Sequence, residues 1–350
     1  MIARLAGWLS MIALVVGGAG MVQDVKAAGA EKGSLQSVIG GAKKEGTLNF
    51  YASSAMGPKG AIAIQDALNK KYGVALEFHY TPSGSMTRDV AKVATALAAG
   101  GPPDWDIMIV NDAHYNTLTK NDAVDRVDWV GSFGLEPKSL YYGGLAVTVA
   151  SQFVAPAYNK QTLKPSDAPK NWDGLLDPKL KGKIGVASST HHWARLAQLW
   201  GDEKTTQFVK ALAEQKIMKG RVPEIYTRLQ LGEVQVAATM VDDYIIVARR
   251  TGAPVVFVEN IDPVIVTQWL GAPLQKAKHR NAAILLTVFL SSDEGQAVWE
   301  KIMGQTSMYI KGTSAYKRAQ KGTVIALDAK FARTELGKLS RKYGKMLGYR

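Results

Sequence analysis

At 350 residues the chain is long enough for two domains of ordinary size, each with its own core. Hydrophobic residues make up 47% of it, the composition of a soluble globular protein, and lysine plus arginine exceed aspartate plus glutamate by 43 to 30, a formal net charge of +13. There is no cysteine, which excludes disulfides and a lipid-modified cysteine anchor, so stability must come from packing.

Residues 1–30 carry one early cation, Arg4, an apolar stretch from Leu5 to Val16, and a small-residue exit at Ala27, Ala28, Gly29 and Ala30. That three-part pattern predicts a secretory signal cleaved after Ala27 or Ala30, and Gly17, Gly18 and Gly20 argue against an uncleaved anchor. An exported basic chain meets small anions and anionic membrane surfaces before it meets DNA, so nucleic acid is not an expected partner. The expected location is the Gram-negative periplasm, free of a lipid anchor.

From Leu48 to Ala52 the chain alternates as a strand and closes on Ser53 and Ser54. A helix over about Lys59 to Tyr72 follows, stopped by Gly73, then a strand over Val74 to Tyr80. The turn from Thr81 to Thr87 leads into a helix with Val90, Val93 and Leu97 on one face; Asp106 to Val110 is the third strand, leaving at Asn111 and Asp112. Strands alternating with helices predict a mainly parallel, doubly wound sheet. The alternation breaks at Leu145 to Val149 and Gln152 to Ala157, two extended pieces without a helix between them, which suits hinge strands. A second α/β unit starts at Ile184 to Ala187, continues through helices near Trp193, Thr205 to Gln215 and Pro223 to Leu231, and reaches the nearly uncharged strand Val234 to Val241. Asp242, Asp243 and Tyr244 stand at its carboxyl end, where open α/β sheets bind ligands. The extended stretch 260–269 carries the chain back; helices over Asn281 to Leu290 and from Ser291 or Ser292 follow, and Ser291 with Glu294 fits a capping box. The basic tail from Lys311 reads as a solvated surface helix.

Several segments, in this order and spacing, resemble the class II periplasmic solute-binding proteins of bacterial ABC importers, in the branch that includes ferric-ion-binding and related small-solute receptors. They are GTLNFYASS at 46–54, KKYGV at 70–74, PPDWDIMIVND at 102–112, APAYNKQTL at 155–163, NWDGLLDPKLKGKIGVAS at 171–188, LGEVQVAATMVDDY at 231–244 and KHRNAAILLTVFLSSDEGQ at 278–296. The resemblance implies a two-lobed α/β fold of the periplasmic-binding-protein type II kind, each lobe a mainly parallel sheet flanked by helices and joined to the other by hinge strands. On that reading residues 1–30 are the signal peptide, 31–153 with 262–350 form lobe 1, and 154–261 form lobe 2. It also implies a ligand clamped between the lobes and a membrane permease that recognises the closed form. A monomer is expected.

Strand ends then face each other across a cleft, which makes Ser53, Ser54, Ser83, Ser85, Arg88 and Asp112 of one lobe and Ser188, Ser189, Asp243 and Tyr244 of the other the expected ligand-binding residues. Ser83, Ser85, Thr87 and Arg88 at a helix start suit a carboxylate or phosphate through hydroxyls, backbone N–H groups and a guanidinium. His191 and His192 are adjacent, diverge on any regular element and read as a surface pair rather than a zinc site. Tyr244 matches the first of two consecutive tyrosines that supply phenolates in the ferric-binding branch, but the second position here is Ile245. A small organic or oxyanionic solute is therefore the expected ligand, with Fe(III), held by Tyr244, as the alternative transported ligand. No resident cofactor is expected. The chain has no G-x-S-x-G, H-E-x-x-H or G-x-x-x-x-G-K pattern, and an enzyme is not expected.

Overall fold

A computed structural model describes residues 34–258 and 260–349; the expected signal segment lies outside the described residues. In chain order the first part runs α1 (Leu35–Glu45), β1 (Thr47–Ala52), α2 (Gly57–Tyr72), β2 (Glu77–Pro82), α3 (Met86–Ala98), β3 (Ile107–Met108), β4 (Val110–Asn111), α4 (Asp112–Lys120) and α5 (Trp129–Phe133). The middle part runs β5 (Leu140–Tyr141), β6 (Ala146–Asn159), β7 (Ile184–Ala187), α6 (His191–Trp200), α7 (Asp202–Glu214), β8 (Met218–Gly220), α8 (Val222–Leu231), β9 (Val236–Val241), α9 (Asp242–Thr251) and β10 (Val255–Phe257). The last part comprises β11 (Val264–Gly271), α10 (Arg280–Leu290), α11 (Asp293–Met303), α12 (Ser314–Ala319), β12 (Val324–Ile325), α13 (Ala329–Thr334) and α14 (Leu336–Met346).

Two sheets result. One is small and parallel, in the order β2-β1-β3; the other runs β12-β11-β6-β9-β7-β8, with β4, β5 and β10 paired along its middle strands. The strand expected over 106–110 is split between them: β3 pairs with β1 and β4 with β11, so the chain passes from the small sheet to the large one within a few residues. The two extended pieces expected at 145–157 are one continuous strand, β6, antiparallel to both β11 and β9. Its register against β9 shifts between Ala155 and Ala157, flanking Pro156, which has no N–H to give the ladder. β7 and β9 are buried at every position, as strands covered on both faces must be.

A helix, α1, precedes β1, and its last residue, Glu45, accepts hydrogen bonds at 3.0 and 2.8 Å from the backbone N–H groups of Asn281 and Ala282, satisfying the first turn of α10 with a carboxylate at its positive end. Two sequence expectations change here. The capping residue of α11 is Ser292, which accepts from Gly295 N–H at 3.3 Å, while Ser291 closes α10. Gly295 is required there, because a Cβ would run into the carbonyl oxygen of Phe289 where the two helices turn. The tail is docked rather than solvated: α14 packs against α6 and α7, burying Leu336, Leu339, Tyr343 and Leu347, while its lysines and arginines stay outward. Spacing alone gave the charged face; the apolar face, at about 1.5–3 kcal/mol per buried large side chain, decides where the helix lies. Lys342 and the Tyr343 hydroxyl both reach Asp202, at 2.6 and 2.8 Å, and the Lys342 hydrogen bonds hold its carboxyl below the ordinary range.

Candidate functional site

The carboxyl ends of β1 and β2 and the turn into α3 lie together. Ser53 caps the short turn after β1, Ser54 N–H donates to Ser83 Oγ at 3.2 Å, and the Tyr80 hydroxyl donates to Ser53 O at 2.7 Å. Ser85 caps α3, and the Arg88 side chain stands 73% exposed one turn in, with its Nε on Asp89 at 2.9 Å. Burial opposes ionisation of Asp89, but hydrogen bonds from Arg88 and from Tyr51, at 2.8 Å, outweigh it and keep the carboxyl below its usual range. From the next strand end, Asn111 caps α4 and also holds His114 Nδ1 at 2.8 Å, while His114 Nε2 lies 3.1 Å from Thr87 Oγ1. Hydroxyls, one guanidinium and helix N-terminal amides therefore converge on one polar wall, a combination that suits an anionic or hydroxyl-bearing ligand.

Asp112 plays a different part from the one expected. It is fully enclosed: Oδ1 accepts from Arg195 Nη2 at 2.5 Å and Ala113 N–H at 2.8 Å, and Oδ2 from Arg195 Nη1 at 3.0 Å and Gln268 N–H at 3.1 Å. Its oxygens are committed inside the protein, so it positions α4, α6 and β11 rather than presenting acceptors to a solute. Arg195, fully buried on α6, is the residue that sequence inspection missed, since a charged residue in an otherwise apolar helix carries no signal of its partner.

Ser188 and Ser189 occupy the turn from β7 into α6, with Ser188 exposed and Ser189 half-buried. His191 and His192 follow, and they are not a surface pair. His192 is buried, and burial pushes its imidazole down to about 3, with the Arg195 charge adding to the effect. Burial holds His191 well below its ordinary value, and the nearby His192, Arg195 and His114 act in the same direction. Burial lowers His114 too, against the pull of Asp112. Around neutral pH these imidazoles are uncharged, able to donate from one nitrogen and accept at the other.

At the end of β9, Asp243 accepts from Gln152 Nε2 of β6 at 3.0 Å and from Gln305, while Asp242 accepts from Phe153 N–H at 2.9 Å. Burial raises the Asp243 carboxyl; burial and then the Asp243 charge raise Asp242 well above the carboxylate range. The half-buried Tyr244 ring lies 4.8 Å from that of Tyr226 on α8, and Ile245 points into the core. The structure thus joins Ser53 to Ser54 and Ser83, and Asp112 to Arg195, whereas the bonds of Asp243 run to β6 and Gln305. Among the described residues no group of three or more His, Asp or Glu side chains is placed to hold a metal ion. No helix among them is long and apolar enough to cross a membrane.

A folded carboxyl with a raised pKa binds its proton more tightly than the unfolded chain does, so its contribution to stability is present at acid pH and is lost as pH rises through the raised value. Asp243→Asn is expected to flatten that decline, which runs at up to about 1.4 kcal/mol per pH unit per proton. Urea unfolding at pH 5 and pH 7 checks it, and identical pH slopes in variant and parent would contradict the assignment.

Two sheets with helices on their faces, crossed by the long antiparallel strands β6 and β11, define the α/β architecture of the type II periplasmic binding proteins, with polar residues gathered at the strand carboxyl ends. Residues 48–302 match the bacterial extracellular solute-binding protein family, and the chain belongs to that family. Iron-bound HitA from Pseudomonas aeruginosa has a similar fold, at 21% identity and a TM-score of 0.68 over 85% of this chain and 99% of that one. So does AfuA from Actinobacillus pleuropneumoniae with fructose-6-phosphate bound, at 21% identity and a TM-score of 0.65 over 86% and 98%. The ferric binding protein from Campylobacter jejuni superposes with a TM-score of 0.69 at 15% identity, over 87% and 100%. An uncharacterized protein of Haemophilus influenzae is 29% identical over 190 residues, 51% of this chain; the chain spans about half the length of that curated relative.

Proposed function

We propose that the chain is the periplasmic receptor of an ABC importer, which captures a small organic or oxyanionic solute between two lobes and hands it to a membrane permease. It works as a monomer, without a lipid anchor, a resident cofactor, nucleic acid or an activity of its own. One lobe comprises residues 31–153 with 262–350, and the other residues 154–261; α14, from the first lobe's segment, packs against α6 and α7 of the second. The solute touches both lobes only when they close, so binding favours the closed form. The observation that carries this reading is the Arg88 guanidinium, 73% exposed at the N-terminus of α3, the helix that Ser85 caps. Tyr244, Ser188 and Ser189 supply polar atoms from the second lobe.

Thermal-shift screening of the ligand-stripped protein against phosphonates, carboxylates, polyamines, thiamine and ferric citrate tests it directly. A small anion is expected to raise the melting temperature, and Arg88→Ala is expected to weaken that binding roughly 10- to 100-fold, the value of one or more charge-assisted hydrogen bonds, with folding intact. Tyr244→Phe is expected to weaken it less. Unchanged affinity in both variants rules out the site.

Fe(III) is the second reading, favoured by the close approach of the Tyr226 and Tyr244 rings. Burial raises both hydroxyls, so an iron ion would have to displace their protons. A visible charge-transfer band on adding ferric citrate would replace the oxyanion reading with this one.

A further inference from the structure

Away from the strand ends, a depression of about 710 Å³ opens between the C-terminal end of α4, the turn from β5 into β6, and α13. Lys120 and Arg126 line one side of it, Lys330 and Arg333 the other, and Asp122 is the one acidic side chain among the lining residues. All four cations are exposed. Lys120 Nζ donates to the Arg333 backbone oxygen at 3.2 Å, which ties the two sides together, and among the described residues none of the four forms an ion pair with a carboxylate. The floor is rigid: Tyr142 is buried, its hydroxyl donates to Asp112 O at 2.6 Å, and its ring stacks at 6.5 Å on Tyr115. Asn116 Nδ2, on α4, holds the Ala332 backbone oxygen of α13 at 3.2 Å, so the two cationic sides are fixed relative to each other.

Four like charges brought into one concavity repel one another, and no carboxylate among the described residues pairs with them, so a counter-charge that fills it is favoured. Two guanidiniums offer paired donors that match phosphoryl oxygens, and two ammonium groups add point charge. We propose that this depression is a second anion site, separate from the solute cleft, and that it takes a polyphosphoryl group, whether free or borne on a lipid headgroup. Three net positive charges at the lining match a ligand of charge about −3 to −4 better than a monoanion.

Calorimetric titration of the full mature protein with inorganic tripolyphosphate at low salt tests the site. Saturable binding at one site is expected, weakened at least about tenfold by Arg126→Ala and again by Arg333→Ala, each of which removes charge-assisted hydrogen bonds. It is expected to fall steeply with added salt. Arg88→Ala, in the solute cleft, is expected to leave it unchanged. No binding, or binding that survives both arginine variants, overturns the proposal; loss with Arg88→Ala instead places the anion in the cleft and overturns it too. Co-sedimentation with vesicles of neutral lipid doped with a bisphosphorylated inositol lipid separates the sources. Sedimentation that tripolyphosphate displaces and Arg333→Ala abolishes assigns the site to a headgroup, and tripolyphosphate binding without sedimentation assigns it to a free polyphosphate.

Discussion

Replacing Arg195 by alanine is expected to lower the unfolding free energy by about 3–5 kcal/mol, the largest effect of any single substitution considered for this chain. The guanidinium is fully buried and makes a two-pronged pair with Asp112, at 2.5 and 3.0 Å, plus a 3.2 Å bond to Val266 O. Removing it leaves a carboxylate with no solvent and no counter-charge, and the cost is the desolvation of that orphaned group rather than the worth of the pair. The two residues sit on α4 and α6, and the Gln268 N–H of β11 joins them, so the loss loosens three elements at once. A double variant, Asp112→Asn with Arg195→Met, removes both charges and is expected to be more stable than Arg195→Ala alone. Guanidinium chloride unfolding of the single and double variants measures this; a cost under about 1 kcal/mol for Arg195→Ala would contradict the buried-pair account.

The second large effect is on acid stability, and it comes from His192. Its folded pKa is pushed down to about 3 by burial and by the neighbouring Arg195. A histidine depressed on folding contributes fully above its unfolded value of about 6.5, and the contribution is lost as pH falls from there toward the folded value, because the unfolded chain takes up the proton first. One such group costs on the order of 1 kcal/mol at pH 5.5 and about 3 kcal/mol at pH 4.5. His191 and His114 are displaced in the same direction and deepen the loss. Asp242 and Asp243 work against it, since their raised values favour folding at acid pH. Chemical unfolding at pH 7.5, 5.5 and 4.5 separates the two: His192→Gln is expected to make the acid limb shallower, and Asp243→Asn to make it steeper. An acid limb unaltered by His192→Gln would mean that the ring is charged or hydrated in the fold.

Both effects depend on residues that the chain order does not single out. Arg195 lies between Trp193 and Leu196 in a helix that sequence periodicity places correctly, yet its partner is 83 positions away. His191 and His192 read as a surface pair because a dipeptide says nothing of what packs above it; α6 is covered by α7 and by α14. The tail shows the same division, since its basic spacing is local while its docking face is defined only by the surface it meets.

Short-range signals were nonetheless decisive for the frame. Alternation in β1, the uniformly apolar β9 and the glycine stop at Gly73 are each the outcome of local sterics or of burial on both faces, and each placed its element to within a few residues. The order of those elements was enough to imply an α/β protein with polar strand ends. The fate of the charges at those ends was set by tertiary packing instead. Asp112 turned inward to a buried arginine, and Asp243 turned to glutamines from β6 and beyond α11, while Arg88 was left facing solvent. Secondary structure is set by neighbours a few residues away, whereas the ionisation and availability of a side chain are set by burial and by partners that distant segments supply.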